Sequence, residues 1–428
     1  MLKEEEQKQI NEILKKLESY KRPMEQVYYV FLFINILYEA LVSTPIVTYI
    51  VAWFGGKMHG MTVEGVIFLF QGIVNLRMLI VIPAIYSIVV EMKSRREKVI
   101  AIGMLLLGWF YSFYMREYDD TYIFRTMALV VSSYGRDFRK IARYQIGIVS
   151  FVVVLSIALS VMGVIPELTL ERDGKIRHSF GMLGPTALSG HICAILVTLY
   201  FLRDGVMKWY EYLMTVVLMI FNMVFVDGRT AFLVVMLVMF GSVATIILKR
   251  IKISQMLKSV FQWILCFSYV IVSCAYFWLV ATYRNGGKEL IRKIPFMSSF
   301  ESRVEVPNRL LKTLSISPFG NYMKVYYAAE HTWDQVGDYN FLDSSYSRML
   351  LIYGVVGLVF CLSLFTAIQW KLMKKKKLFG MFVVAAITLQ FLMQKGIFDP
   401  GYCIFPLLLW AVIKEDSAGE ENDKKNEC

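Results

Sequence analysis

The stretch WYEYLMTVVLMIFNMVFV (209–226), DGRT (227–230) and AFLVVMLVMFGSVATIIL (231–248), closed by Lys249 and Arg250, decides the class of this chain. Two apolar runs flank a four-residue polar turn. About 20 consecutive apolar residues are what an α-helix needs to cross ~30 Å of hydrocarbon. Inside lipid every backbone N–H and C=O must find an intramolecular partner, which a helix supplies and a lipid-exposed loop does not. The stretch therefore reads as a membrane-spanning helical hairpin with Asp227-Gly228-Arg229-Thr230 as its tight turn.

Working outward, similar runs recur at 27–53, 66–90, 99–115, 121–133, 144–165, 180–201, 260–281, 347–370, 378–393 and 402–413. The runs at 121–133 and 402–413 are short for a span and read as re-entrant or extended. Composition agrees: 57% of the residues are hydrophobic and 19% charged, with mean hydropathy +0.52. Soluble domains are about a quarter charged. The expected fold is all-α, a polytopic integral membrane protein with about 12 transmembrane helices and one large external loop.

The net charge of +12 could suggest nucleic acid, but its placement excludes that partner. The cations sit in short clusters between apolar runs, where they set topology. With the N-terminus in the cytoplasm, the internal connections carry Lys93–Lys98, Arg136–Arg143, Arg203 and Lys208, Lys249–Lys258, and Lys371–Lys377. The short external ones carry only Lys57, Arg116, Arg172, Lys175, Arg177, Arg229 and Lys395. The even alternation puts both termini in the cytoplasm. It divides the chain into a cytoplasmic amphipathic segment (1–26, with Ile10, Ile13, Leu14 and Leu17 on one face), spans one to nine (27–281), a large extracytoplasmic loop (282–346), spans ten to twelve (347–413) and a polar cytoplasmic tail (414–428). The first twenty residues are charged, unlike a cleavable signal peptide. Five of the six cysteines lie in apolar runs and Cys428 is terminal, so neither a disulfide framework nor a zinc site is expected.

Charged residues at membrane depth are the first functional suspects. Glu39, Arg77 and Arg125 read equally as a structural ion-pair group, Glu39 with Arg77, or as functional residues. On the outer face stand Arg177, in Arg177-His178-Ser179-Phe180-Gly181; Arg229, in the turn; Arg303, in Glu301-Ser302-Arg303; and Arg348, one turn into the tenth span. Guanidinium binds phosphate oxygens bidentately and stays charged when partly desolvated. The competing reading is that each arginine anchors a helix end to headgroups or satisfies backbone carbonyls. His178 and His191 are thirteen residues apart, a spacing that fits no metal motif. Asp343 or Ser344 can cap the tenth helix, whose N-terminal end at the outer surface also suits an anion. Gly354 and Gly357 are spaced to let helices pack closely.

In order from about Lys175 to Gly357, these motifs resemble the O-antigen and capsule polysaccharide polymerase family (Wzy-type), which is related to the O-antigen ligases. Arg177-His178-Ser179-Phe180-Gly181 with Pro185 is similar to its external stretch before a helix, and Val226–Phe232 to its "S-R-T" turn. Ser302-Arg303, Ser317-Pro318-Phe319-Gly320, Tyr339–Tyr346 and Tyr353-Gly354-Val355-Val356-Gly357 resemble its large loop and the following helix. Gly228 stands where a serine is common, and Asp343 where the ligase branch tends to have histidine, which favours polymerase. The resemblance implies a GT-C-like architecture in a bacterial cytoplasmic membrane. It also implies a metal-independent, cofactor-free glycosyltransferase that moves an undecaprenyl-diphosphate-linked glycan onto another lipid-linked repeat unit. Arg177, Arg229 and Arg303, with Arg348 fourth, would bind diphosphate; Asp343 first and His178 second would act on the acceptor hydroxyl. The bilayer and a chain-length regulator protein are the implied partners. An O-antigen-ligase-like transferase and a lipid-linked oligosaccharide flippase are the alternatives.

Overall fold

The computed structural model describes residues 12–13, 16–47, 49, 72, 76–114, 122–172, 174–248, 254–293, 298–322 and 342–414. Those residues form an almost wholly helical bundle with one two-stranded sheet. In chain order the main elements are α1 (Lys21–Val42), α2 (Arg95–Tyr114), α3 (Tyr122–Ser132), α4 (Phe138–Val161), β1 (Thr169–Arg172), β2 (Lys175–His178), α5 (Pro185–Leu202), α6 (Trp209–Phe221), α7 (Arg229–Leu248), α8 (Gln255–Cys266), α9 (Ser268–Thr282), α10 (Ser298–Thr313), α11 (Ser345–Leu351), α12 (Gly354–Lys374) and α13 (Leu378–Gln390), with short helical turns at Val81–Tyr86 and Lys288–Lys293.

Six of these are long and apolar enough to cross a membrane: α1, α4, α5, α6 with its extension to Val226, α7 and α12. The pair α8 and α9, bent by 58°, makes a seventh if it counts as one span. Outward-facing side chains such as Val30, Phe33, Phe151, Val154, Leu233 and Phe240 are apolar and exposed, which a bilayer accommodates and water would not. The chain is a helical membrane protein. α5 is the most enclosed span and forms the centre, packed against α4, α7 and α13.

The two ends of the bundle differ chemically. At one end Arg136 grips Glu91 with both terminal nitrogens (2.7 and 3.1 Å), Arg203 pairs with Glu211, and Lys377 reaches Asp204 at 3.3 Å. This lysine-rich end gathers most of the described basic connections. The opposite end holds the β1–β2 hairpin and the α6–α7 turn, and is called the hairpin end below.

Four expectations change in detail. The tenth run (347–370) is two helices, because the chain breaks at Ile352–Tyr353 and Gly354 takes φ +73°. The ninth bends at Phe267. In the sixth, Phe180 and Gly181 have positive φ, and the helix starts only at Pro185, whose fixed φ suits a first turn. The twelfth run (402–413) is not a continuous helix: it holds a 3₁₀ turn, Phe405–Leu409, in a buried irregular passage. Pro400 and Pro406 remove the N–H groups a continuous helix needs. Its carbonyls are satisfied from outside: Lys371 Nζ donates to Leu408, Leu409 and Ala411 at 2.7–3.0 Å, and Ser133 Oγ to Leu407 at 3.0 Å. The expected amphipathic face at Ile10 and Leu14 lies outside the described residues; α1 itself begins at Lys21.

Candidate anion site at the hairpin end

The site starts from strand alternation. In an antiparallel pair, directly opposed residues share a face. The register pairs Leu170 with Arg177 and Arg172 with Lys175, so Arg172, Lys175 and Arg177 project from one face of the hairpin. That face meets the end of α6, where a π turn (Asn222–Val226) leaves backbone carbonyls without helical donors. Arg177 Nε donates to Val226 O at 3.1 Å, and Lys175 Nζ to Met223 O at 2.7 Å. Arg172 donates to Asp227 O at 2.6 Å and holds the Asp227 carboxylate through Nε and Nη2. Cations are favoured at a helix C-terminus, so the contact is electrostatically matched.

Asp227 ends the π turn at φ +50°, in the left-handed region that a short polar side chain tolerates better than most. Its other oxygen accepts Arg229 Nε at 3.1 Å. Arg229 opens α7, the end of a helix where a cation is disfavoured, and Asp227 offsets that penalty. Burial pushes the Asp227 carboxyl up, but hydrogen bonds from Arg172 and Arg229 outweigh it and hold it below the ordinary value.

Gly228 has no room for a side chain: a Cβ would overlap Ser189 Oγ and come within 2.5 Å of Asn222 Oδ1. Asn222 Nδ2 donates to Gly228 O at 2.9 Å and closes the turn. Glycine in place of serine therefore has a local cause. Gly228→Ser is expected to destabilise the protein by about 1–3 kcal/mol, as overpacking does. Thermal unfolding in detergent tests this, and an unchanged midpoint would mean that the turn yields freely.

Arg177 is buried, and its guanidinium is pushed down to about 10, first by burial and then by Arg172, Arg303 and Arg229, against Asp227. It stays protonated at neutral pH, at a cost on the order of 3 kcal/mol. A bound anion would offset that cost. Arg303 comes from α10, which is held to α9 by the Tyr276 hydroxyl on Arg303 O at 2.7 Å. Arg303 Nη2 lies 2.7 Å from Asp343 Oδ2. The structure thus brings Arg177, Arg229 and Arg303 into one electrostatic group, adds Arg172, and links Asp343 to it. Arg348 is buried on α11, five residues beyond Asp343.

His178 lies apart from this group. It follows Arg177 in the strand and so faces the other side, where Nδ1 meets Glu167 Oε1 at 2.8 Å. His191 is buried in α5 and stacks on Tyr402 at 4.1 Å. Helix capping by Asp343 or Ser344 takes a different form from the one expected. Ser344 stands at the N-cap without a side-chain cap hydrogen bond. Ser345 Oγ instead donates to Gln394 O at 2.5 Å, and Ser345 N to Phe391 O and Gln394 O at 3.0 Å. The buried carbonyls after α13 need donors, and these groups supply them. Glu39 pairs with Arg77 at 2.8 Å and Arg125 at 3.5 Å, which makes the ion-pair reading of that group concrete.

Comparison with known family models, with characterised proteins and with solved structures finds no match to this chain. Among the described residues no group of three or more His, Cys, Asp or Glu side chains has a geometry that would hold a metal ion. What the site offers chemically is a partly desolvated set of guanidiniums around a buried carboxylate, with a second carboxylate paired at its edge. Such a set suits a polyanion with several oxygens.

Proposed function

We propose that the chain is a polysaccharide repeat-unit polymerase of the Wzy type. In this reading it has about twelve membrane crossings in a GT-C-like arrangement, lies in a bacterial cytoplasmic membrane with both termini inside, and has its hairpin end outside. The single observation that supports this most is the grouping of Arg172, Arg177, Arg229 and Arg303, drawn from three separate chain segments. The donor is a glycan on undecaprenyl diphosphate, and the acceptor is the sugar end of another lipid-linked unit.

The acceptor oxygen attacks the anomeric carbon, the bond to the diphosphate oxygen breaks, and the lipid diphosphate leaves with the electron pair. Arginines placed on the departing oxygens stabilise the charge that develops there. Asp343 orients the acceptor hydroxyl and takes its proton. Arg303 binds Asp343 in the free protein. A diphosphate competing for that guanidinium releases the carboxylate when donor is bound, which ties proton acceptance to occupancy of the site.

Purified protein given the correct undecaprenyl-diphosphate oligosaccharide, in EDTA, is expected to yield a ladder of lengthening lipid-linked glycans. Arg177→Ala, Arg229→Ala and Arg303→Ala are each expected to lower its rate roughly a hundredfold or more. Wild-type polymer length from Arg303→Ala would remove Arg303 from the catalytic set. Intact substrate that instead crosses liposome membranes would replace the polymerase reading with a transporter.

A further inference from the structure

At the other end of the bundle from the arginine group, α1 and α4 line an open groove of about 530 Å³. Phe33 and Leu37 line it from α1; Tyr144, Gly147, Ile148 and Phe151 line it from α4. Its walls are apolar except at one end, where Lys140 and Arg143 stand. That is the lysine-rich end, because α4 begins there at Phe138, beside Arg136 and Val412. From Lys140 to Phe151 the helix rises about 16 Å. This is roughly half the ~30 Å hydrocarbon thickness, the depth of one leaflet.

The two cations have no account in helix stability. They lie in the first two turns of α4, where the dipole disfavours positive charge, and that first turn contains no acidic residue. Asp137 is engaged in capping, accepting Arg139 N at 3.0 Å. Lys140 Nζ sits 3.8 Å over the Tyr29 ring, which in turn stacks on Tyr144 at 5.5 Å, so the ammonium is held over the groove mouth. Among the described residues neither Lys140 nor Arg143 forms an ion pair. The floor is open at Gly147, where an added Cβ would meet no atom within 4 Å.

We propose that this groove is a binding site for one anionic phospholipid of the leaflet at the lysine-rich end. One acyl chain lies along Phe33, Leu37, Gly147, Ile148 and Phe151, and the phosphate is held by Lys140 and Arg143. The charge at the mouth selects an anionic headgroup over a zwitterionic one, since guanidinium–phosphate hydrogen bonds are charge-assisted.

Native mass spectrometry of the full chain in detergent tests this, with phosphatidylglycerol and phosphatidylcholine of identical acyl chains as probes. Wild type is expected to retain one phosphatidylglycerol about tenfold more tightly than phosphatidylcholine. Lys140→Gln with Arg143→Gln should abolish that preference and leave the weaker apolar binding. Gly147→Leu should fill the floor and remove the retained lipid of either kind. Its unfolding midpoint in lipid-free detergent should stay at or above that of wild type, since the added Cβ meets no atom within 4 Å and the rest of the side chain enters the open groove. Equal retention of the two lipids by wild type would overturn the proposal, as would undiminished phosphatidylglycerol on Gly147→Leu. So would displacement of phosphatidylglycerol by undecaprenyl phosphate, or a stable dimer formed through this face.

Discussion

Asp227→Ala is expected to cost about 3–5 kcal/mol of stability, the range found when one partner of a buried ion pair is removed. Asp227 is 3% exposed and its two oxygens serve Arg172 and Arg229. Without it, two guanidiniums lose their shared carboxylate beside a third, Arg177, which is already buried among cations. The unfolding midpoint in detergent should fall by many degrees, and the hairpin should become open to proteolysis near Lys175. A double-mutant cycle of Arg172→Met with Asp227→Leu isolates the pair, and the combined variant should be less damaged than Asp227→Ala. A midpoint equal to wild type in Asp227→Ala would show that the clamp does not hold the hairpin.

The same clamp has an acid limit. Because the folded-state value of Asp227 is depressed from 3.8, its stabilisation is present above 3.8 and is lost as pH falls through the lower folded value. Asp227→Asn should flatten that part of an acid unfolding curve. An identical acid limb in wild type and Asp227→Asn would assign acid unfolding to other groups.

Gly354→Ala is the second large expected effect. Gly354 sits at φ +73°, and a Cβ there would overlap Gly320 N and approach Pro318 O and Ser317 O at 2.5 and 2.6 Å. All three are backbone atoms, so none can swing aside. Gly320, at φ +94°, meets Ile352 O in the same way. The two glycines let the 317–321 strap cross the start of α12 with backbone against backbone. Carbonyls of Ser317 and Pro318 accept the N–H groups of Val355 and Val356 at 3.2 and 3.0 Å, and Asn321 N donates to Leu351 O at 3.0 Å. Left-handed conformation costs a non-glycine residue about 1–2 kcal/mol before any clash. The overlap raises the total to on the order of 3 kcal/mol or more. Limited proteolysis should then cut the strap between α10 and α11, and the unfolding midpoint should drop. Gly147→Ala, on an open helix face, is the control and should be neutral or slightly stabilising. A wild-type proteolysis pattern in Gly354→Ala would refute the docking of strap on helix.

The crossing at Gly354 joins two motifs that are 33 residues apart in the chain. Ser317-Pro318-Phe319-Gly320 and Tyr353-Gly354-Val355-Val356-Gly357 stood out separately in the sequence, and the small residues suggested helix–helix packing. They are two halves of one crossing instead. Only Gly357 sits inside a helix contact, where a Cβ would lie 3.3 Å from the Tyr111 hydroxyl. Arg172 and Asp227 were missed as site residues because each looked like ordinary polar punctuation between spans. Asp173-Gly174 between short alternating segments is a hairpin signal. Read with that register, it would have put Arg172 on the face of Arg177.

Membrane class, helical fold and a strongly basic end were legible from the sequence alone, because each depends on local composition. A run of 18 or more apolar residues solves its own backbone hydrogen bonding in lipid whatever surrounds it. The turn at 227–230 was legible for the same reason, since the apolar runs on each side bracket it. What the passage at 402–413 does was decided only by tertiary structure, because its carbonyls are satisfied by Lys371 and Ser133 from other segments. The meeting of Arg172, Arg177, Arg229 and Arg303 was decided there too. It requires a hairpin docked on the open end of α6 and a loop helix anchored by Tyr276, and it sets Arg177 in the field of Arg303, 126 positions away, which no local pattern encodes.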